Sequence, residues 1–585
     1  MKPVSFIGAR GKKVTIKHSW PKSKWREFVR LFNLLAQWAA KSIIPLLLVS
    51  VATAQSFRTQ GVTKVQCLDS DGTTIIPCGR DTGVNRSSEG SLNVSVQDPL
   101  GAFGEMLTVT KAPTIQNLFT YGASTEAWRY FINGGGSTAT ANSMVEAVSG
   151  TSSTSSLVSI GTLRDVVYRP GQGAEVVYAV KFDTGQAGTI QFAGVGNGET
   201  ALGFVYDYDG IFKVVRSSGG LRDLRVLNVD AKSSNSQNVT ITLANQTFTC
   251  AVTNGATIDV TAAEIGRCDY TTKYPGWVTS VQGSSITFIP SLSGTLPGDT
   301  FSASFPTSGS GTFFQRVSPK TPAVESVRQS QWNLDVMDGT SSASNPSGAL
   351  LDPTKLNVYR IAFQFLGAGA ITFGVESPDS GKIVPVHRIK YAGRESTPSL
   401  TNPSMPFIIS ARNIGLAGNV RLKMSSVAGF DQGEVRRLGQ QRSYSVTKTG
   451  VGTSFVPILT IDNARLRGDG STINQQKAIM INLSMSNTGT KGLEFQMIQN
   501  ANLSTDRSLV YLSTGTSPMR VDSVASSYSG GIPVIERGTP AGTLIDIDLS
   551  PYLLIIPPGG RYTVVARSVA TTTDVSASVQ WVEDF

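Results

Sequence analysis

The feature that most constrains the fold of this chain is an alternation of apolar and polar residues with a period of two. Near the C-terminus, Val575, Ala577, Val579 and Trp581 alternate with Ser576, Ser578 and Gln580. Because successive side chains of a strand point to opposite faces of a sheet, this pattern predicts a strand with one buried face. The same alternation in 359–365 and 370–375, joined by turn residues at 366–369, predicts a hairpin.

Composition favours the same class of fold. Charged residues make up only 16% of the chain and glycine occurs 59 times, whereas helices are usually rich in Glu, Lys, Ala and Leu with paired charges. Thr, Val, Ile and aromatic residues separated by turn residues favour strands. A chain of 585 residues is long enough for several domains. We therefore predict an all-β, multidomain protein built from jelly-roll-like β-sandwiches.

Breaks in the strand pattern predict five regions. They are an N-terminal leader with a helix (1–54), a linker or stalk (55–113), a β-sandwich in two pieces (114–228 and 319–415), an inserted α+β module (229–318) and a C-terminal β-sandwich (416–585). The module is interpreted as an insertion because the strand pattern before it resumes after it. Within the module, Thr261 and Glu264 fit a capping box, which predicts one short helix ending near Cys268.

Positive charge is concentrated in the leader. Residues 1–54 contain ten Lys and Arg residues and one Glu, so they hold +9 of the formal net charge of +10, and the remaining residues are close to neutral at +1. The high isoelectric point therefore describes the leader and not a nucleic-acid-binding surface on the folded body. We expect no specific nucleic-acid partner.

The end of the leader has the pattern of an export signal. A basic start, a short apolar run at 42–51 and the sequence Ala-Thr-Ala-Gln at 52–55 predict cleavage between Ala54 and Gln55. The apolar run is shorter than the roughly 20 residues that span a bilayer. Two alternatives stay open. Residues 25–40 could form an amphipathic helix that contacts a membrane or lies inside a particle, or the leader could have no role.

The four cysteines form two local pairs, Cys67 with Cys78 and Cys250 with Cys268. Both pairs are flanked by turn residues, and a disulfide closing such a loop stabilises by roughly 3 kcal/mol, so both are candidate disulfides; four ordinary buried thiols are the alternative. The chain has no C-x-x-C motif and only two His, and two Asp-x-Asp-Gly segments, at 69–72 and 207–210, lack the closing Glu of a calcium loop. We predict neither a metal nor a cofactor.

The residues that could carry catalysis all have structural explanations. His18 lies in the leader and His387 alternates with apolar residues, so no catalytic triad can be assembled. Three carboxylate pairs have the composition of a glycosidase site, namely Asp207 with Asp209, Asp335 with Asp338, and Asp546 with Asp548. Asp209 and Asp338 precede glycines in predicted turns, and the last pair falls on the solvent face of a strand. We predict no catalytic residues.

A family resemblance rests on the order of several short motifs. They are QWNLDVMDG at 331–339, NPSG at 345–348, FLGAG at 365–369 and VHRI at 386–389, with YRPGQ at 168–172 and DGIF at 209–212 upstream. Together they resemble a family of virion structural proteins of tailed phages and large DNA viruses. The resemblance covers roughly residues 98–415, and it implies no catalytic residues.

These observations lead to one expectation about function. The chain is expected to be a non-enzymatic virion structural protein, capsid-associated or fibre-like, that displays β-sandwiches for host attachment or particle assembly. Its expected partners are other virion proteins, further copies of itself (a trimer, by the resemblance), a host-surface glycan or receptor, and a membrane contacted through the leader. The expected location is the virion surface or a fibre. A secreted bacterial adhesin or glycan-binding surface protein is the alternative, and a surface glycoside hydrolase is a third hypothesis.

Overall fold

The computed structural model describes residues 111–585 with gaps at 121, 126, 152–154, 256, 415–417, 434–438, 505–507 and 585, and before residue 111 only 4–7, 13–16, 67–68 and 75–76. The chain divides into two units, Met1–Gln97 and Asp98–Phe585. In the first unit, β1 (Val4–Ile7) pairs with β2 (Lys13–Ile16), and β3 (Cys67–Leu68) pairs with β4 (Ile75–Ile76). The predicted leader helix, the cleavage site at Ala54 and Gln55, and Cys78 lie outside the described residues.

The second unit is built almost entirely from antiparallel sheets. About 54% of the described residues lie in strands and 3% in helices, which confirms the predicted all-β class. No helix of the described residues is both long enough and apolar enough to cross a membrane.

Nine strands form the first part of a large β-sandwich. They are β5 (Lys111–Leu118), β6 (Trp128–Asn133), β7 (Ser137–Ala141), β8 (Met144–Val148), β9 (Ser156–Val166), β10 (Ala174–Lys181), β11 (Thr189–Gly196), β12 (Ala201–Tyr206) and β13 (Phe212–Ser218). β12 and β13 form the hairpin that the Asp-Gly sequence predicts. Gly210 sits in its turn with φ of 74°, a conformation that glycine adopts without the strain of a side chain.

The inserted module follows β13 and has two small sheets and one helix. Its elements are β14 (Leu224–Ala231), β15 (Gln237–Leu243), β16 (Gln246–Val252), α1 (Ile258–Ile265), β17 (Trp277–Gln282), β18 (Ser285–Pro290), β19 (Phe301–Ser304) and β20 (Ser310–Val317). One sheet has the strand order β17-β18-β14-β20 and the other β16-β15-β19. Apolar side chains of both sheets and of α1 share one core.

The module's helix begins earlier than the sequence predicts. Thr257 caps α1, since its side chain accepts a hydrogen bond from the backbone N–H of Val260 at 3.3 Å. Thr261 therefore lies inside the helix, where it is fully buried, and Glu264 accepts a hydrogen bond from the backbone N–H of Thr253 at 3.0 Å. The capping-box assignment was wrong because Thr257 offers the same capping chemistry one turn earlier.

The large sandwich resumes after the module with six strands. They are β21 (Ala323–Arg328), β22 (Asn357–Phe363), β23 (Ile371–Glu376), β24 (Ile383–Ile389), β25 (Met405–Asn413) and β26 (Arg421–Gln432). One sheet has the order β24-β23-β22-β10-β26-β8-β7, with β5 also paired to β26, and the other has β21-β13-β12-β11-β25-β9-β6. The two sheets pack on one core that includes Tyr178, Phe204, Tyr359 and Phe407.

Two domain boundaries differ from the predicted ones. β26 was assigned to the C-terminal domain of 416–585, but it hydrogen-bonds to β10 and to β5 and so lies inside the first sandwich. β14 begins at Leu224, so the module starts before residue 229. In both cases strand alternation shows that a strand exists but does not identify the sheet that it joins.

The C-terminal sandwich contains the remaining strands. They are β27 (Gln440–Val451), β28 (Val456–Asn463), β29 (Lys477–Asn487), β30 (Leu493–Gln499), β31 (Asn502–Leu503), β32 (Val510–Tyr511), β33 (Met519–Asp522), β34 (Tyr528–Ser529), β35 (Ile532–Thr539), β36 (Leu544–Asp548), β37 (Ile555–Ile556), β38 (Arg561–Ser568) and β39 (Thr573–Asp584). Its sheets have the orders β27-β39-β29-β36, with β37 also on β29, and β32-β33-β28-β38-β30-β35. Trp581 on β39 is fully buried in the core between them, as the alternation predicts.

Candidate binding site between the module and the C-terminal sandwich

The first predicted carboxylate pair is neutralised by a lysine. Lys213 Nζ lies 3.0 Å from Asp207 Oδ2 and 2.8 Å from Asp209 Oδ2. Burial raises the pKa of Asp209, but hydrogen bonds from Lys213 and from the backbone N–H of Ile211 outweigh it and leave that pKa below its ordinary value. The pair stabilises the turn between β12 and β13.

The other two carboxylate pairs are also engaged locally. Asp335 is buried and accepts two backbone hydrogen bonds of 2.9 Å, and Asp338 accepts one of 2.9 Å from the backbone N–H of Thr340. Asp546 accepts a hydrogen bond from the Ser484 hydroxyl, and Asp548 accepts one of 2.9 Å from a backbone N–H. These contacts fix loops and strand ends.

His387 has a structural position. It is buried on β24, and its Nδ1 accepts a hydrogen bond from the backbone N–H of Asn333 at 3.2 Å. Burial lowers the pKa of His387, against an opposing effect of Glu325. Among the described residues, no group of three or more His, Cys, Asp or Glu side chains is placed to hold a metal ion.

The two predicted disulfides have different outcomes. Cys250 on β16 and Cys268, just after α1, form a disulfide with a Cα–Cα distance of 5.8 Å. This bond ties the helix of the module to its smaller sheet. The pairing of Cys67 with Cys78 stays a prediction, because Cys78 lies outside the described residues.

A cleft that the sequence did not reveal lies between the module and the C-terminal sandwich. Its floor is the outer face of the module's larger sheet. The antiparallel register aligns Ser280, Thr287, Val226 and Phe314 in one row across β17, β18, β14 and β20. Since side chains alternate along a strand, the neighbouring Phe313 points inward to the module core and Phe314 points outward, where it is 39% exposed.

The opposite wall is a tight loop of the C-terminal sandwich. Leu466 and Ile473 form an isolated antiparallel bridge, and the loop between them is closed by a hydrogen bond of 2.9 Å from Arg467 N to Thr472 O. The Asp469 carboxylate accepts backbone hydrogen bonds of 2.8 Å from Ser471 and Thr472. The loop is thus held in one shape by its own turn chemistry.

An apolar seam holds the two walls together. Leu466 of the C-terminal sandwich packs with Leu224 and Ile289 of the module, and all three are buried. Arg316 of the module also donates a hydrogen bond of 2.6 Å to the backbone carbonyl of Asp469. The seam and this hydrogen bond set the spacing between the sheet face and the loop.

Between these walls lies a cavity of about 330 Å³. Its lining combines hydroxyl, amide and aromatic side chains: Ser280, Gln282, Ser285, Thr287, Phe314 and Tyr511. The Tyr511 hydroxyl donates a hydrogen bond of 3.0 Å to the carbonyl of Leu466, so the orientation of its ring is fixed by the loop. A cavity of this size and composition is suited to a polar ligand that also has apolar faces.

A second cavity of about 190 Å³ adjoins the first, and Ser280 lines both. Four guanidinium groups line it, those of Arg267, Arg465, Arg520 and Arg561, and Asp462 is the one carboxylate of its lining. Arg267 comes from the module and donates a hydrogen bond of 2.6 Å to the carbonyl of Leu503. The other three arginines and Asp462 come from the C-terminal sandwich.

Strand register explains how these charges meet. Asp462 on β28 lies opposite Arg520 on β33 and opposite Arg561 on β38. Burial raises the pKa of Asp462, but Arg520 and Arg561 outweigh it, and the net pKa lies below its ordinary value. One carboxylate is therefore ionised between two guanidiniums, and it leaves the cavity with an excess of positive charge.

The Arg465 guanidinium feels the charge of Asp462, but this attraction is outweighed by burial and by the neighbouring arginines. No hydrogen bond joins it to another of the described residues. Burial and the nearby Arg129 lower the pKa of Arg465 to about 10, so it still carries its charge at neutral pH. The Arg465 guanidinium packs so closely against the backbone of Gly559 that a Cβ at position 559 would overlap it.

The sequence carried little signal for this site. Asp462, Arg520 and Arg561 are far apart along the chain, and only the order of β33, β28 and β38 brings them together. One usable signal exists. Asp462 and Arg520 each follow an apolar residue within a strand, and charged residues are rare at core positions of strands.

Comparisons with known proteins find weak likenesses. No protein-family model matches the sequence, and no curated protein matches it. A cellulose-induced protein has 9% identity and a TM-score of 0.22, over 54% of this chain and 96% of its own. A lectin from Bauhinia forficata in complex with GalNAc has 7% identity and a TM-score of 0.18, over 55% of this chain and 99% of its own.

A structure described as the triple jelly roll fold and turret assembly of an archaeal virus has 11% identity and a TM-score of 0.13, over 70% of this chain and 91% of its own. TM-scores this low establish neither a shared topology nor a shared function.

Proposed function

We propose that this chain is a non-enzymatic structural protein of a virus particle that displays its β-sandwiches at the surface and contacts the host through the cleft described above. The observation that carries this proposal is the cleft itself. It is preformed between the module and the C-terminal sandwich, and its walls are fixed by a buried ion pair and an apolar seam. A site held in shape before its ligand arrives loses little entropy on binding.

Contacts between the sandwiches support a role as a rigid display scaffold. Lys477 of the C-terminal sandwich forms an ion pair of 2.8 Å with Asp165 of the first sandwich. Arg520 donates a hydrogen bond of 3.1 Å to the backbone carbonyl of Val281 in the module. Because both contacts are largely buried, they hold the three parts in a fixed orientation. Repeated copies on a particle would then multiply weak contacts into avidity.

The composition of purified particles tests this proposal. Particles from the source are banded on a density gradient, and their proteins are identified and quantified by mass spectrometry. We expect peptides from residues 111–585 to peak in the same fractions as the other particle proteins and to survive a high-salt wash. Peptides found only in particle-free supernatant would overturn the proposal.

A secreted adhesin is the second candidate function. The export-signal pattern that ends at Ala54 favours it, and the disulfide between Cys250 and Cys268 is typical of a protein that is exported to an oxidising compartment. N-terminal sequencing of the protein from culture supernatant distinguishes the two. An adhesin should begin at Gln55 and occur free of particles.

The non-enzymatic part of the proposal needs its own test. Release of reducing sugar from a panel of polysaccharides is measured with the full chain and with Asp207→Asn and Asp335→Asn. We expect no release above background in any of the three. Release by the full chain that either substitution abolishes would establish a glycoside hydrolase.

A further inference from the structure

We infer that the two adjoining cavities bind an acidic saccharide, with a sugar ring in the larger cavity and a carboxylate or sulfate group on the arginines of the smaller one. This inference rests on the proposed attachment function and names the ligand class of its site. It is carried by the composition of the two cavities and by the wall that they share.

The larger cavity has the chemistry that recognises a sugar ring. Sugar hydroxyls both donate and accept hydrogen bonds, and so do the hydroxyl and amide groups of Ser280, Thr287 and Gln282. The C–H face of a sugar packs on an aromatic ring, and Phe314 and Tyr511 supply one ring from each wall. Phe314 lies on the edge strand β20 of the sheet that forms the floor, and it is 39% exposed, which leaves its ring available to a ligand.

The smaller cavity has the chemistry that recognises a single oxyanion. Guanidinium groups present planar, forked donors that match carboxylate and sulfate oxygens. The volume of about 190 Å³ is enough for one such group with part of its hydration.

Arg465 is the arginine that is available to this anion. Arg520 and Arg561 are paired with Asp462, and Arg267 is hydrogen-bonded to the carbonyl of Leu503. Arg465 makes no hydrogen bond to another described residue and is held in place by packing on Gly559. A charged group whose donors make no hydrogen bond to another described residue loses no such bond when an anion binds to it.

A cation–π pair of side chains connects the two cavities. The Arg520 guanidinium lies 5.7 Å from the centroid of the Tyr511 ring, and Ser280 lines both cavities. A sugar ring beside Tyr511 can therefore extend an acidic substituent past Ser280 to the arginines. One ligand can occupy both cavities.

The charge distribution favours a saccharide over a nucleic acid. Asp469 also lines the larger cavity, and its hydrogen bonds from Thr472 and Ser471 outweigh the effect of burial and lower its pKa to about 2. An ionised carboxylate accepts hydrogen bonds from sugar hydroxyls but repels a phosphodiester backbone. Nucleic acids also need a positive groove along several phosphates. Four of the guanidiniums here surround one small cavity, and Arg316 in the larger cavity is hydrogen-bonded to the backbone carbonyl of Asp469.

Binding to defined polymers tests the inference. The full chain is titrated with dextran sulfate, oligogalacturonate, uncharged dextran and oligothymidylate, and affinity is measured by calorimetry at two salt concentrations. We expect binding to dextran sulfate or oligogalacturonate and none to uncharged dextran. Equal or tighter binding of oligothymidylate, or no binding of either acidic saccharide, would overturn the inference.

Matched variants separate the site from general attraction to positive charge. Arg465→Gln should lower the affinity for the acidic saccharide about tenfold or more, because a charge-assisted hydrogen bond is lost. Phe314→Ala should lower this affinity several-fold, because the aromatic contact with the sugar ring is lost. Arg394→Gln removes the same charge from an exposed loop of the first sandwich and should have no effect. Equal effects of Arg465→Gln and Arg394→Gln would contradict the assigned site.

Folding of each variant is checked by its unfolding temperature. Should Arg465→Gln unfold, Arg465→Lys keeps the charge but loses the planar fork, and it should still weaken binding. Failure of these binding tests leaves the particle analysis unaffected, so loss of the ligand assignment and loss of the proposed function are distinguishable.

Discussion

Arg520 donates two hydrogen bonds to one carboxylate oxygen of Asp462, at 2.6 Å from Nη2 and 2.9 Å from Nε. The two residues are cross-strand neighbours on β33 and β28. Arg561 approaches the other oxygen of the same carboxylate at 3.1 Å, and Asp462 is only 1% exposed. This buried triad forms the wall of the arginine-lined cavity and links the core of the C-terminal sandwich to the module.

Removal of the central carboxylate should strongly destabilise the protein. Asp462→Ala leaves two guanidiniums without their partner, and breaking a buried pair in this way costs about 3–5 kcal/mol. Urea unfolding followed by tryptophan fluorescence measures the loss. The control is Asp379→Ala, which removes an exposed carboxylate and should change the free energy of unfolding by about 0.5 kcal/mol or less. Similar losses in the two variants would show that the triad contributes little.

The same triad should make stability depend on acid pH. The folded-state pKa of Asp462 is lowered, since Arg520 and Arg561 outweigh burial. A lowered folded pKa gives stabilisation that is present above the unfolded value of about 4 and is lost as pH falls through the folded value. Unfolding free energies measured from pH 6 to pH 2 should therefore fall below pH 4, and less steeply in Asp462→Asn. An identical slope in both proteins would contradict this assignment.

The apolar seam should control how tightly the cleft walls are held. Leu466→Ala removes a buried side chain between Leu224 and Ile289 and should cost about 2–5 kcal/mol. Amide hydrogen exchange should also become faster in 467–472, because the loop loses its anchor. Leu544→Ala is the matched control, since Leu544 is 63% exposed on an edge strand. Unchanged exchange in the loop after Leu466→Ala would argue against the seam as the anchor.

The disulfide should stabilise the module specifically. Replacing both Cys250 and Cys268 by alanine opens a loop with a sequence separation of 18 residues, and we expect a loss of roughly 3 kcal/mol. Thermal unfolding with and without dithiothreitol measures it. The reductant should lower the unfolding temperature of the parent protein more than that of the double variant, in which Cys67 and Cys78 are the cysteines that remain. A parent protein that is insensitive to the reductant would contradict the prediction.

Strand alternation was enough to predict the class of fold. The pattern around Trp581 and the hairpin of β22 and β23 were predicted correctly, because both follow from local periodicity and turn chemistry. The placement of β26 was not predicted. A strand with one apolar face fits either sandwich, and its partner is selected by packing that no local pattern encodes.

The candidate site was almost absent from the sequence. Local reasoning identified the carboxylate pairs such as Asp207 with Asp209, which serve turns, and missed the cleft between domains. The residues of the cleft form a site only because two surfaces face each other, one carrying Phe314 and the other carrying Tyr511 and Arg465. Only the order of the strands and the packing of the module on the C-terminal sandwich bring these surfaces together.

Immunogold electron microscopy of intact, gradient-purified particles is the most direct test of the central claim, which is that the chain belongs to a particle and presents this cleft outward. An antibody against the module, residues 224–317, is the probe, and an antibody against the buried strand β39 is the control. The account predicts gold at the particle surface with the first antibody and none with the second. Unlabelled particles, with the module antibody reacting only in particle-free supernatant, would contradict it.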